Sequence, residues 1–196
     1  SRSISFHTAF RTWRADELRE TISFDSLNTL SVKDNKFNHT WLGRKLRTEH
    51  LFTVDKEDFH LAVDPLFDIS VGRETEEKRN LFTNTRGAQV LGSIGKQFSF
   101  YTGFYETQAS FPDYLKTFIK VYGVVPGQGK VKTLAGGGFD YTMAFGGVSY
   151  TPSKHFNVQL ANDKNFIGDG YRSLLLSDNS FNYPFLKLTA EVWRFK

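Results

Sequence analysis

The chain of 196 residues carries 25 Lys and Arg against 21 Asp and Glu, a net charge of +4 with no basic run, which argues against a nucleic-acid footprint. It has no Cys, so disulfides, zinc-thiolate sites and thiol catalysis are excluded together. With 20 Phe, 8 Tyr, 3 Trp and 16 Gly but one Met, the composition favours strands and turns over packed helices, and no apolar run reaches the ~18–20 residues of a membrane helix.

The mean hydropathy of -0.40 reads as that of a water-soluble chain. A transmembrane barrel gives the same reading, because half of every strand is polar. No signal peptide opens the sequence at Ser1, and a mature chain whose signal has been removed looks alike.

Residues 1–48 read as an irregular, partly helical region, a periplasmic plug or a surface arm. Helical pieces are expected at 12–21 and 41–50, and Asp25 to Asn38 is polar and turn-rich. From 49 to 196 the period changes to two. In 58–73, Phe59, Leu61, Val63, Phe67, Ile69 and Val71 share one parity, with His60, Asp64, Asp68 and Ser70 on the other. Such a strand is longer than the usual ~5–6 residues and suits a tilted membrane strand, with Pro65 marking a bulge or an edge.

A charged link at 74–79 leads to 81–94, and a tight turn at Gly95 and Lys96 leads to 97–108. Val90 and Ile94 then continue onto Phe98, Phe100 and Phe104 as one apolar face. The stretch 109–138 is too long for a hairpin loop and contains a helical piece near 113–121, and long connections of this kind carry function. Strands at 139–150 and 155–162 follow, then the polar stretch 163–183 and a last strand. On that strand Leu186, Leu188, Ala190 and Val192 alternate with Lys187, Thr189 and Glu191.

Counting a piece at 50–56, seven strands emerge. Their connections alternate between short (55–58, 95–96, 151–154) and longer (74–80, 109–138, 163–183). This is the spacing of an all-β, transmembrane antiparallel β-barrel with tight turns on one side and larger extracellular loops on the other. Seven strands would leave an edge open in lipid, so an incomplete N-terminal portion of a barrel is expected, or one segment of an assembly that closes with other strands.

The segment 163-DKNFIGDGYRSLLLSDNSFNYPFLKL-188 resembles the Wzi-type capsule-assembly outer-membrane proteins, in particular a gliding-motility (RemB-type) branch of them. Supporting pieces are 5–13, 41–72 and 86–108. The resemblance implies an outer-membrane barrel of a Gram-negative bacterium with a helical periplasmic region and surface-exposed loops. Its partners would be outer-membrane lipid and surface polysaccharide, or the other subunits of a motility or secretion complex. It implies no enzymatic activity and no cofactor.

Within that segment Asp169, Tyr171, Arg172, Asp178, Asn179 and Tyr183 combine carboxylates, a planar cation, an amide and rings, a mixture that suits a glycan or a protein partner. The alternative is that Arg172 pairs with Asp169 or Asp178 and braces the loop. An interface girdle of aromatics is expected at Tyr101, Tyr105, Tyr141, Tyr150, Trp193 and Phe195.

Several catalytic or metal-binding patterns fail on spacing. The run 123–133 imitates a phosphate loop but holds Val131 where Ser or Thr belongs, and the glycines 136–138 precede a strand instead of following one. Asp163, Asn165 and Gly168 make an incomplete calcium loop, and the five His lack metal-ligand spacing, so neither a metal nor a catalytic residue is expected. A soluble β-rich carrier or enzyme is the remaining alternative, because a sheet with one wet face also alternates.

Overall fold

The computed structural model describes residues 40–47, 49–75, 78–167 and 176–190. The expected helical piece at 12–21 and the polar stretch Asp25 to Asn38 lie outside them, as do Asp169, Tyr171, Arg172, Trp193 and Phe195. The chain divides into two units, residues 1–51 with 165–177, and 52–164 with 178–196.

In the first unit, helix α1 (Trp41–Arg47) lies inside the piece expected at 41–50. The Thr40 hydroxyl accepts from the Gly43 N–H at 3.0 Å, satisfying one of the amides that a helix start leaves unpaired. Ile167 and Leu176 form an isolated antiparallel bridge.

The second unit is a curled antiparallel sheet, a half-barrel in form. Its long strands are β1 (Phe52–Lys56), β2 (Phe59–Glu74), β3 (Arg79–Ile94) and β4 (Phe98–Ala109), followed after an insert by β8 (Phe139–Ser153), β9 (Phe156–Asp163) and β10 (Tyr183–Ala190). They pair in that order, every neighbour antiparallel. Among the described residues β1 and β10 are the edges.

The insert, residues 110–138, holds helix α2 (Asp113–Tyr122), the hairpin β5 (Val124–Val125) and β6 (Gly129–Lys130), and β7 (Lys132–Thr133), which pairs with β8. Gly123 ends α2 in the left-handed conformation that glycine adopts without a Cβ clash, and its N–H returns to the Ile119 carbonyl at 2.8 Å.

Turns at 57–58, 95–97 and 154–155 stand at one end of the sheet, and connections 75–78, 110–138 and 164–182 at the other. The link expected to be long at 74–80 is only four residues, because β2 and β3 pair from Phe59–Ile94 up to Glu74–Arg79. The expected bulge at Pro65 is absent, since that register passes through Pro65–Ala88 without a shift. β1 ends opposite Val63, so Pro65 lies where β2 starts to lack a described partner on its other side, and there a missing N–H is tolerated.

Candidate functional site

Register fixes which side chains share a face. On one face stand Phe59, Leu61, Val63, Phe67, Ile69 and Val71 of β2, Val90 and Ile94 of β3, Phe98, Phe100 and Phe104 of β4, Val148 and Tyr150 of β8, Val158 and Leu160 of β9, and Leu186 and Leu188 of β10. This face is apolar and exposed: Val71 is 86% accessible, Ile69 74%, Leu188 69% and Phe67 66%. Packed sheets in water bury such a face and wet the other. Here the polar side chains occupy the covered face.

The upper edge of the apolar band is stepped. On β2 its last residue is Val71, before Arg73, and on β10 it is Pro184, before Asn182. The pairings Pro184–Asn162, Asn162–Gly146, Gly146–Thr102, Thr102–Val90 and Val90–Val63 set Pro184 level with Val63, eight residues below Val71. Between these limits the band ends level at Ala88, Phe104 and Ala144, which pair in one row, beneath the equally level polar row of Arg86, Glu106 and Thr142; on β9 it ends at Leu160 before Asn162, and on β3 the exposed Phe82, opposite Val71, stands above Arg86. Arg86 and Glu106 pair at 3.1 Å and so offset each other's charge at this border.

The covered face carries His60, Asp64 and Asp68 on β2, and Tyr101, Tyr105 and Thr107 on β4. Across the sheet it continues through Tyr141 and Phe145 on β8, Asp163 on β9, and Tyr183, Phe185 and Lys187 on β10. The hydroxyls of Thr85 and Thr107 bond across the strands at 2.8 Å, and His60 bonds Asp55 near the short turn. Tyr101 donates to Asp163 at 2.7 Å. Rings of Tyr101 and Tyr105 stand 6.4 Å and 6.5 Å from that of Phe145, and Tyr183 lies 5.9 Å from Phe185, over which the Lys187 ammonium sits at 5.7 Å. Tilted rings beside a carboxylate and a cation form a surface on which a sugar face can stack and its hydroxyls find partners.

The insert packs on this same covered face. Ile119 and Val125 join Ala109, Phe139 and Tyr141 in a small core, with Phe111, Leu115 and Val131 against it. Arg79 reaches Glu74 at 2.8 Å and Asp113 at 2.6 Å, while the Asp113 N–H donates to Glu74 at 3.2 Å. Glu74 thereby supplies the cap that Pro112, with no side-chain acceptor, cannot give α2. Tyr105 donates to the Gln128 side chain at 3.0 Å, and Lys164 to the Gly127 carbonyl at 2.7 Å. The Phe181 ring lies on Gly129, where an added Cβ would come within 2.1 Å of it.

Of the residues singled out in the sequence, Asp178 and Asn179 sit in an exposed turn, with the Asn179 backbone beside Gly127. Tyr183 opens β10 on the covered face, so the turn and the ring approach the same end of the sheet. The expected girdle needs correction. Tyr150 stands on the exposed face near the short turns, whereas Tyr101, Tyr105 and Tyr141 point to the covered face and cannot ring the exposed one. Both parities of β4 are aromatic, so only the pairing with β3 and β8 decides which side each ring takes.

Sequence reasoning missed Gln128, Lys164 and the Glu74–Arg79–Asp113 network. No pattern flags them, because each acts on a partner far along the chain. Asn182 was also missed: its amide donates at 2.9 Å to the Ala144 carbonyl, beside the last β8–β9 pairings. Among the described residues no group of three or more His, Asp or Glu could hold a metal ion, and no helix is long and apolar enough to cross a membrane. Comparison with protein-family models, with curated proteins and with solved structures returns no match.

Proposed function

We propose that this chain forms part of the wall of an outer-membrane β-barrel whose exposed face meets lipid and whose covered face lines the interior. The observation that carries the reading is an exposed apolar face set opposite a covered face that holds the polar side chains. Transmembrane barrel strands tilt by about 35–45°, with an apolar outside and a polar inside. In water such a face would be a contiguous apolar surface of the kind that monomeric proteins rarely expose beyond a few hundred Å².

Within that role we propose attachment or assembly of surface polysaccharide, without catalysis. Support comes from the likeness of 163–188 to capsule-assembly proteins and from the rings, carboxylate and cation on the covered face. A second reading makes the barrel a subunit of an outer-membrane secretion or motility complex. It is favoured by Tyr114, Phe118, Val121 and Tyr122, an exposed stripe along α2 beside its core residues.

Fractionation tests the barrel: the folded chain is expected in the outer-membrane pellet, and recovery in the aqueous fraction would rule it out in favour of a soluble carrier. Retention of the detergent-extracted protein on immobilised capsular polysaccharide separates the first role from the second, which instead predicts stoichiometric protein partners in mild detergent.

A further inference from the structure

We infer that residues 110–138 form a plug inside the barrel, built onto the lumenal wall, so that the insert rather than the strand count sets what passes through. The inference rests on the barrel reading: if the exposed face meets lipid, the covered face lies on the lumen side, and the insert stands on the covered face.

Length alone would make 110–138 a candidate surface loop, free to reach outward. Its contacts turn it inward. Ile119 is 1% accessible and packs on Phe139 and Tyr141, both covered-face residues of β8. Polar ties add direction at separate points along the insert. Arg79 and Glu74, at the top of the β2–β3 pair, hold the first turn of α2. Tyr105, midway along β4, holds Gln128, and Lys164, just past β9, holds the hairpin carbonyl of Gly127. The insert is thus fixed to four neighbouring parts of the wall, β2–β3, β4, β8 and the end of β9.

A loop that sampled open and closed positions would not keep a solvent-excluded core with the wall, because opening would expose Ile119, Phe139 and Tyr141 to the lumen water. A helix with its side chains is ~10–12 Å across, which is comparable with the lumen of a small or medium barrel. With the β5–β6 hairpin beside it, the passage is obstructed on this side at the level of Tyr105.

The test uses the protein purified from outer membranes and reconstituted in planar bilayers with potassium chloride. The parent protein is expected to show little conductance. Replacing 112–136 by a short Gly-Ser turn is expected to raise it by about fivefold or more, as removal of a lumenal obstruction requires. A shortened protein that inserts, migrates as a folded barrel and conducts no more than the parent would overturn the plug. If the shortened chain does not fold, the double variant Tyr105→Phe with Lys164→Met cuts two ties and keeps the core. More frequent open events are expected from it, and conductance identical to the parent counts against the plug. Failure of the parent protein itself to insert would defeat the barrel reading, and the plug with it, by a result distinct from a silent but inserted protein.

Discussion

Gly87 is the residue where the sheet has least room. A Cβ there would lie 2.1 Å from the Phe104 carbonyl oxygen and 2.7 Å from the Tyr105 Cα, backbone atoms of the paired strand that cannot swing away. Gly87→Ala must therefore push β3 from β4, and an overpacked site of this kind costs about 1–3 kcal/mol or more. Gly136, with nothing within 4 Å of its Cβ position, is the control, and Gly136→Ala should change stability by less than about 0.5 kcal/mol. Urea titration of the folded, detergent-held protein measures both, and equal midpoints would refute the close approach. The sequence shows a glycine at 87 but not what faces it, because the approaching atoms belong to Phe104 and Tyr105, residues of another strand. The tyrosines of β4 were opaque for the same reason: a strand with aromatics on both parities has no face until its neighbours are known.

At the scale of the element, the long strands were legible because alternation is a local property. β2 and β10 read almost residue by residue, and the structure sets Leu186 and Leu188 on the exposed face with Lys187 and Thr189 on the covered one. Parity makes a sharp prediction. In the proposed barrel, Leu188→Arg places a charge on the lipid side and should cost about 2–4 kcal/mol of barrel stability. Thr189→Arg, one residue on, lies on the covered face and should cost far less, so equal losses from the two would contradict the assignment of faces. Strands β5, β6 and β7 were not legible, since two residues cannot display a period, and they form only because the insert has the wall to pack on. The position of α2 likewise depends on partners outside it. Arg79→Ala removes the cation shared by Glu74 and Asp113, contacts worth about 1–2 kcal/mol together at their partial exposure. Limited chymotrypsin digestion reports the effect: cleavage at Tyr114, Phe118 and Tyr122 should speed up several-fold in Arg79→Ala and stay at the parent rate in Arg86→Ala, whose carboxylate partner is Glu106.

For the whole molecule the informative quantity is depth, which no single strand records. Sequence alternation gives each strand an apolar side but leaves its height relative to the others undetermined, because height depends on register and tilt together. The register places Pro184 level with Val63, whereas the apolar side of β2 runs eight residues further, to Val71. In the proposed barrel, strands that cross the bilayer obliquely bring Val71 and Pro184 to one border. Since the chain has no Cys, single spin labels can be introduced without background at Val63, Val71 and Pro184. With strands tilted by about 45°, labels at Val71 and Pro184 should report the same shallow depth, and the label at Val63 should lie about 19 Å further into the bilayer than Val71. Upright strands would instead give Val63 and Pro184 one depth and lift Val71 into water. A sheet that never enters lipid would leave all three labels open to aqueous relaxation agents, and the exposed face would then need a protein partner to cover it.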